Sequence, residues 1–168
     1  LAHVQRTCPD TALLILGDGA ERSRLEVLCR TLRLHDVHFL GEITDTLESS
    51  TYFKLAQLLV IPGLVGLAIV HGFAFSLPLI TTEQHAHGPE IEYLSKHNGS
   101  MTAPDPETYA SEIIRVLTSS GDYRSMQDQA DKTARQLTLR ASASRFMQGI
   151  YQISNPSGPA VIEVAPEI

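Results

Sequence analysis

Between Ile61 and Thr82 the chain reads IPGLVGLAIVHGFAFSLPLITT, an apolar stretch in which glycines recur at 63, 66 and 72 and only His71 can ionise. Glycine lets a backbone approach a ligand closely, and it also lets a helix pack closely on a sheet. The first N–H groups of a helix lack intrahelical partners and sit at the positive end of its dipole. Gly63 and Gly66 therefore mark either an anion-binding turn, suited to phosphate, or a tight helix–sheet contact. His71 follows one to two turns on. Its helical neighbours Leu67, Ala68, Ala74 and Phe75 are apolar or small, so the pattern predicts an enclosed imidazole. Such a ring needs partners for its nitrogens, from the backbone, a polar neighbour, or a ligand at the helix start toward which the side chain tilts.

Other chemistry-bearing residues are sparser. In HAHGPEIE, His85 and His87 have no third ligand at metal-binding spacing and read as loop, while Glu90 falls in a first helical turn, placed to cap it or to hold a ligand hydroxyl. GDGAER at 17–22 has only part of a dinucleotide fingerprint and reads as a tight strand-to-helix turn. Neither a P-loop nor a Ser/His/Asp or Cys/His nucleophile context is present. Cys8 and Cys29 have no CxxC spacing, which fits a reducing, cytoplasmic setting.

The elements that would position these residues alternate. ALLILG (12–17) reads as a strand buried on both faces, followed by a helix whose Leu25, Leu28, Cys29 and Leu32 share an apolar side. Val37–Gly41 gives a second strand, Thr44–Ala56 a helix capped near Thr44 or Asp45, and Leu58–Pro62 a third strand. A helix over Val65–Phe75, apolar nearly all round, precedes a fourth strand in LPLITT. GPEIEYLSKHNG reads as a short helix stopped by left-handed conformations at Asn98-Gly99, and SMTAP as a last strand. Helices follow over Glu107–Leu117, Asp122–Leu137 and Ser142–Ile153, then a mobile tail from 154 to 168. Buried strands alternating with helices imply an α/β fold, a Rossmann-like open parallel sheet flanked by helices, with ligands beyond the carboxyl ends of the strands.

At 168 residues and 43% hydrophobic content the chain suits one domain over 1–153. A net charge of −6 with scattered Lys and Arg argues against nucleic-acid binding. The longest apolar run is broken by Pro62, His71 and Pro78, so none reads as a membrane span. The sequence opens on Leu1 without a signal or presequence pattern and reads as a fragment.

The succession LLILGDGAERSRLEVLCRTLRLHDVHFLGEI, YFKLAQLLVIPG, VGLAIVHGFAFSLPLITT and GPEIEYLSKHNGSMTAPDPETYASEI, over about Ala2–Leu117, resembles the C-terminal half of family-4 retaining glycosyltransferases of the GT-B fold. The resemblance implies a nucleotide-sugar donor, UDP- or GDP-linked, bound without a cofactor or metal. Gly63, Val65, Gly66 and Leu67 would face its diphosphate. Phe39, Leu40 and Gly41 would lie beside the base. The family carries two glutamates eight positions apart. The first aligns with Gly63 and the second, which holds the ribose, with His71. The family's arginine and lysine for the diphosphate lie in a loop before this sequence begins. A glycan or lipid-linked acceptor would bind a separate N-terminal domain, with membrane contact peripheral at most, in surface polysaccharide synthesis. This chain alone is then expected to be inactive. Alternatives are a nucleotide-binding module without chemistry, favoured by Gly63, or an epimerase or phosphorylase of the same fold, whose acid and base would be sought among Glu83, His85 and Glu90.

Overall fold

Short apolar runs bounded by glycine, proline or acidic caps become the strands of this chain, and the segments between them coil into helices. The structure is a computed structural model and describes residues 1–83 and 86–154. The order is α1 (Ala2–Thr7), β1 (Leu13–Leu16), α2 (Arg22–Thr31), β2 (Val37–Gly41), α3 (Thr46–Leu55), β3 (Leu59–Ile61), α4 (Ala68–Ala74) and β4 (Leu79–Thr82). A 3₁₀ helix (Pro89–Tyr93), β5 (Gly99–Thr102), α5 (Pro106–Thr118), α6 (Ser120–Arg135) and α7 (Leu139–Ser154) complete it. The expected tail beyond Ser154, and His85, lie outside the described residues.

Among the described residues the named strands pair in parallel, as the α/β alternation requires, but the single open sheet expected is present as two. β1 pairs with β2, Leu13 opposite Val37. β4 lies between β3 and β5, with Leu59, Leu79 and Gly99 in register. The core gathers on the second sheet. Leu79 packs on one face with Val65, Ile69, Phe73 and Ala130, so α4 and α6 cover that side. Ile80 points to the other face, against Val116 and Met126 of α5 and α6. This is the period-two alternation of a strand covered on both sides. Asp45 caps α3 by accepting the Glu48 N–H at 2.7 Å, and Asp105 caps α5 by accepting the Thr108 N–H at 2.8 Å.

Several expectations are corrected. β1 is half-buried rather than enclosed, and the apolar side of α2 stays open, with Leu25, Leu28 and Leu32 at 40–49% exposure. Cys29 is accordingly half-buried, not a core thiol. The helix expected from Val65 begins at Ala68, with Leu67 as its N-cap. α1 has no counterpart in the sequence reading, because a six-residue helix with one buried apolar anchor, Val4, leaves no periodic signal.

The left-handed stop expected at Asn98-Gly99 is also absent, because these residues serve packing. Gly99 opens β5 against the Leu79 carbonyl, where a Cβ would collide. Asn98 is 2% exposed; its Oδ1 accepts the Ser95 N–H at 2.7 Å, and its Nδ2 donates to Tyr93 O at 3.0 Å and Thr133 Oγ1 at 3.1 Å. That side chain ties the end of the 3₁₀ segment to α6. Replacing it leaves buried groups unpaired, so Asn98→Ala is expected to destabilise the fold by about 2–3 kcal/mol, read as a lower urea midpoint at unchanged slope.

Candidate functional site

The carboxyl end of β4 carries two threonines, Thr81 and Thr82, both buried. A buried hydroxyl must find an acceptor. Thr81 Oγ1 donates to Ile61 O and Thr82 Oγ1 to Pro62 O, each at 2.8 Å, so β4 fixes the path by which the chain leaves β3. The turn that follows is held from its far side. The Val65 N–H donates to His87 Nδ1 at 3.1 Å, and the Gly88 N–H donates to Val65 O at 2.7 Å. With Nδ1 accepting, the ring proton sits on Nε2, which donates to Thr82 O at 2.9 Å. A Cβ at Gly88 would lie 3.1 Å from Val65 O, 3.4 Å from Gly66 Cα and 2.5 Å from Glu90 Oε2. Gly88 therefore seats the 3₁₀ segment on the turn, with the Glu90 carboxylate folded back over it.

Gly63, Val65, Gly66, Leu67 and Glu90 are thus brought together, with His71 one turn into α4. Val65 itself is fully buried and its N–H is occupied. The glycines on either side are different. Among the described residues, chain neighbours aside, no heavy atom lies within 4 Å of where a Cβ would stand at Gly63 or Gly66, and neither has a positive φ. Close packing around a Cβ does not require glycine at either place, and both residues are half-buried.

His71 is exposed, contrary to the enclosed imidazole expected. Val65, Ile69 and Phe73, four residues apart, form the buried side of the segment, which turns Leu67, Ala68, His71 and Ala74 outward. Uniformly apolar composition concealed this amphipathic placement. The His71 ring meets the Phe53 ring edge-on at 6.4 Å between centroids, and Phe53 stacks on Phe75 at 5.3 Å.

Phe39, Leu40 and Gly41 lie at the end of the other sheet. There Gly17 and Gly41 both adopt positive φ, +123° and +75°, and the Gly17 N–H donates to Gly41 O at 2.7 Å. Arg22 closes this end. It donates to Asp18 Oδ2 and Glu26 Oε1, each at 3.0 Å, reaches Phe39 O at 3.4 Å, and holds its guanidinium 5.8 Å from the Phe39 ring centroid. The Gly19 amide, and then Arg22, hold the Asp18 carboxyl below its usual range. GDG is thus a self-satisfied turn.

A third feature is an open groove beside β5 and α5, lined by Ser100, Thr102, Thr108, Ser111, Glu112 and Arg115. Arg115 donates to Glu112 at 2.8 Å and to Asp122 at 2.7 Å, and its hydrogen bond pulls the Glu112 carboxyl below the usual range. Among the described residues no group of three or more His, Cys, Asp or Glu is placed to hold a metal, and no helix is long and apolar enough to cross a membrane.

His87 reads as loop in the sequence, since neither it nor His85 has a third ligand at metal-binding spacing. Its place just after β4, opposite the glycine turn, is what could have marked it.

Parallel sheets with helices on their faces define a Rossmann-like α/β class of domain. Residues 1–119 match the glycosyl transferases group 1 family, and the chain belongs to it. No curated protein sequence matches the chain. Among solved structures it is similar to the sucrose-phosphate synthase of Thermosynechococcus elongatus, with TM-score 0.71 at 23% identity over 93% of this chain and 42% of that one. It is similar to Anabaena HepE in complex with UDP, with TM-score 0.68 at 18% identity over 91% of this chain and 44% of that one. The C-terminal domain of the Francisella tularensis group 1 glycosyl transferase LpcC aligns over 81% of this chain and 74% of that domain, with TM-score 0.68 at 18% identity. The fold is therefore that of the C-terminal domain of GT-B glycosyltransferases. The chain spans less than half the length of the synthase and of HepE.

Because His71 is exposed, His71→Ala is expected to change unfolding free energy by no more than about 0.5 kcal/mol in chemical denaturation. An enclosed imidazole with satisfied nitrogens would cost several times that.

Proposed function

We propose that this chain is the donor-binding part of a family-4 retaining glycosyltransferase, which moves a sugar from a UDP- or GDP-linked donor to a glycan or lipid-linked acceptor in surface polysaccharide synthesis. The observation that carries this reading is the turn at Gly63 and Gly66, where among the described residues nothing beyond the chain neighbours stands within 4 Å of either Cβ position. Family membership supports it, and so does the likeness to a protein solved with UDP.

In this reading the backbone amides from Gly66 into the first turn of α4 receive the diphosphate. α4 has seven residues, so its dipole is short and the contribution comes from the amides themselves and from room to approach. His71 offers one hydrogen bond to a ribose hydroxyl, Glu90 accepts from a sugar hydroxyl, and Phe39–Gly41 flank the base. Transfer with retention then rests on positioning and on stabilising the nucleoside diphosphate as it leaves. The chain's charge of −6 does not favour that leaving group. The arginine and lysine the family uses would come from the rest of the whole protein, as would the acceptor site. No cofactor is assigned. The setting is cytoplasmic, with any membrane contact peripheral.

One observation favours a second reading, a nucleotide-binding module without chemistry. Gly63 stands where the family has its first glutamate, and among the described residues nothing beyond its chain neighbours stands within 4 Å of its Cβ position. Release of UDP from a UDP-sugar by the whole protein separates the two.

Gly66→Val is the direct test of the site. Its side chain enters open space, so the melting temperature is expected to stay within about 2 °C. Blocked access to the backbone is expected to raise the Kd for UDP or GDP at least about tenfold in ligand-observed NMR titration. A folded variant with unchanged affinity would place the nucleotide elsewhere.

A further inference from the structure

We propose that His87 is a positioning residue for the donor-binding turn, acting through its neutral Nε2–H tautomer. The inference rests on the donor-site reading and adds to it the residue that sets the direction of the turn's peptide groups.

Val65 is held at three points. Its side chain is fully buried among Ile69, Phe73 and Leu79, its N–H is bound by His87 Nδ1, and its carbonyl is bound by the Gly88 N–H. A peptide group is planar and trans, so its N–H and C=O point in opposite directions. Binding the Val65 N–H therefore fixes the Leu64 carbonyl away from His87. Binding the Val65 carbonyl fixes the Gly66 N–H away from Gly88. His87 is itself anchored through Nε2 to Thr82 O at 2.9 Å, at the end of the buried strand. The chain from β4 to the Gly66 amide is thus Thr82, His87, Val65 and Gly66.

A proton on Nδ1 would turn the acceptor of the Val65 N–H into a donor. The Leu64–Val65 peptide would then lose its partner and be free to turn its carbonyl toward the ring.

Two isosteric variants separate the two ring nitrogens. The amide oxygen of asparagine stands near the Nδ1 position and can still accept from Val65, whereas the amide nitrogen of glutamine stands near Nε2 and keeps only the Thr82 link. We expect UDP and GDP titrations at pH 7.5 to give a Kd within about threefold of wild type for His87→Asn and about tenfold weaker for His87→Gln. Nitrogen-15 spectra of the wild type should show the proton on Nε2 and a Val65 amide shift that His87→Gln displaces and His87→Asn preserves. If the glutamine variant does not fold, the wild-type tautomer and the affinity of the asparagine variant decide. A proton on Nδ1, or folded variants that both match wild type in affinity, would overturn the proposal alone. A wild type that binds neither nucleotide would overturn the donor-site reading and this proposal together.

Discussion

The structure depends on the burial of β4. All four of its residues are buried, between one layer made by α4 and α6 and another made by α5 and α6, and its position between β3 and β5 satisfies its backbone on both edges. Its last two residues are threonines, and hydroxyls in that environment cannot be left unpaired. They pair with the carbonyls of Ile61 and Pro62, so the same burial that stabilises the sheet dictates how the neighbouring strand ends. The turn, the seating of Gly88 and the anchoring of His87 follow from that constraint.

The two sheets differ in how much of their surface the chain covers. β4 lies in a two-sided core, while β1 and β2 are half-buried and α2 and α3 contain no buried residue. The nucleotide-facing residues proposed at the turn therefore stand on the rigid part, and Phe39, Leu40 and Gly41 on the less covered part, where Arg22 rather than packing holds the strand end. A donor spanning both would bring its diphosphate to a preformed surface and its base to one built largely from local polar contacts.

Much of this was legible in the sequence. Short apolar runs closed by Gly17, Gly41 and Pro62 gave the strands, and alternating helices gave their parallel pairing, because parallel neighbours require a crossover. Asp45 announced the start of α3 by its residue type. What failed did so for identifiable reasons. Composition along Leu64–Phe75 is uniform, so it could not show that Val65, Ile69 and Phe73 face the core while His71 faces out. Asn98-Gly99 has the residue types of a helix stop, yet tertiary contacts claimed both, Gly99 for the Leu79 carbonyl and Asn98 for Thr133 of a distant helix. His87 was invisible because its partners, Val65 and Thr82, belong to other elements and only the folded chain brings them together. The glycine pair shows the converse. Sequence left packing and ligand approach equally open, and the space around both Cβ positions among the described residues bears on packing alone.

The most direct test of the account is an amide chemical-shift map of the chain titrated with UDP and, in parallel, with uridine. The account predicts that UDP shifts the amides from Gly63 to Ala68 and that uridine, lacking the diphosphate, leaves them largely unmoved. Diphosphate-dependent shifts confined to Asp18–Arg22, or to the groove at Ser100–Thr102 and Arg115, would contradict it.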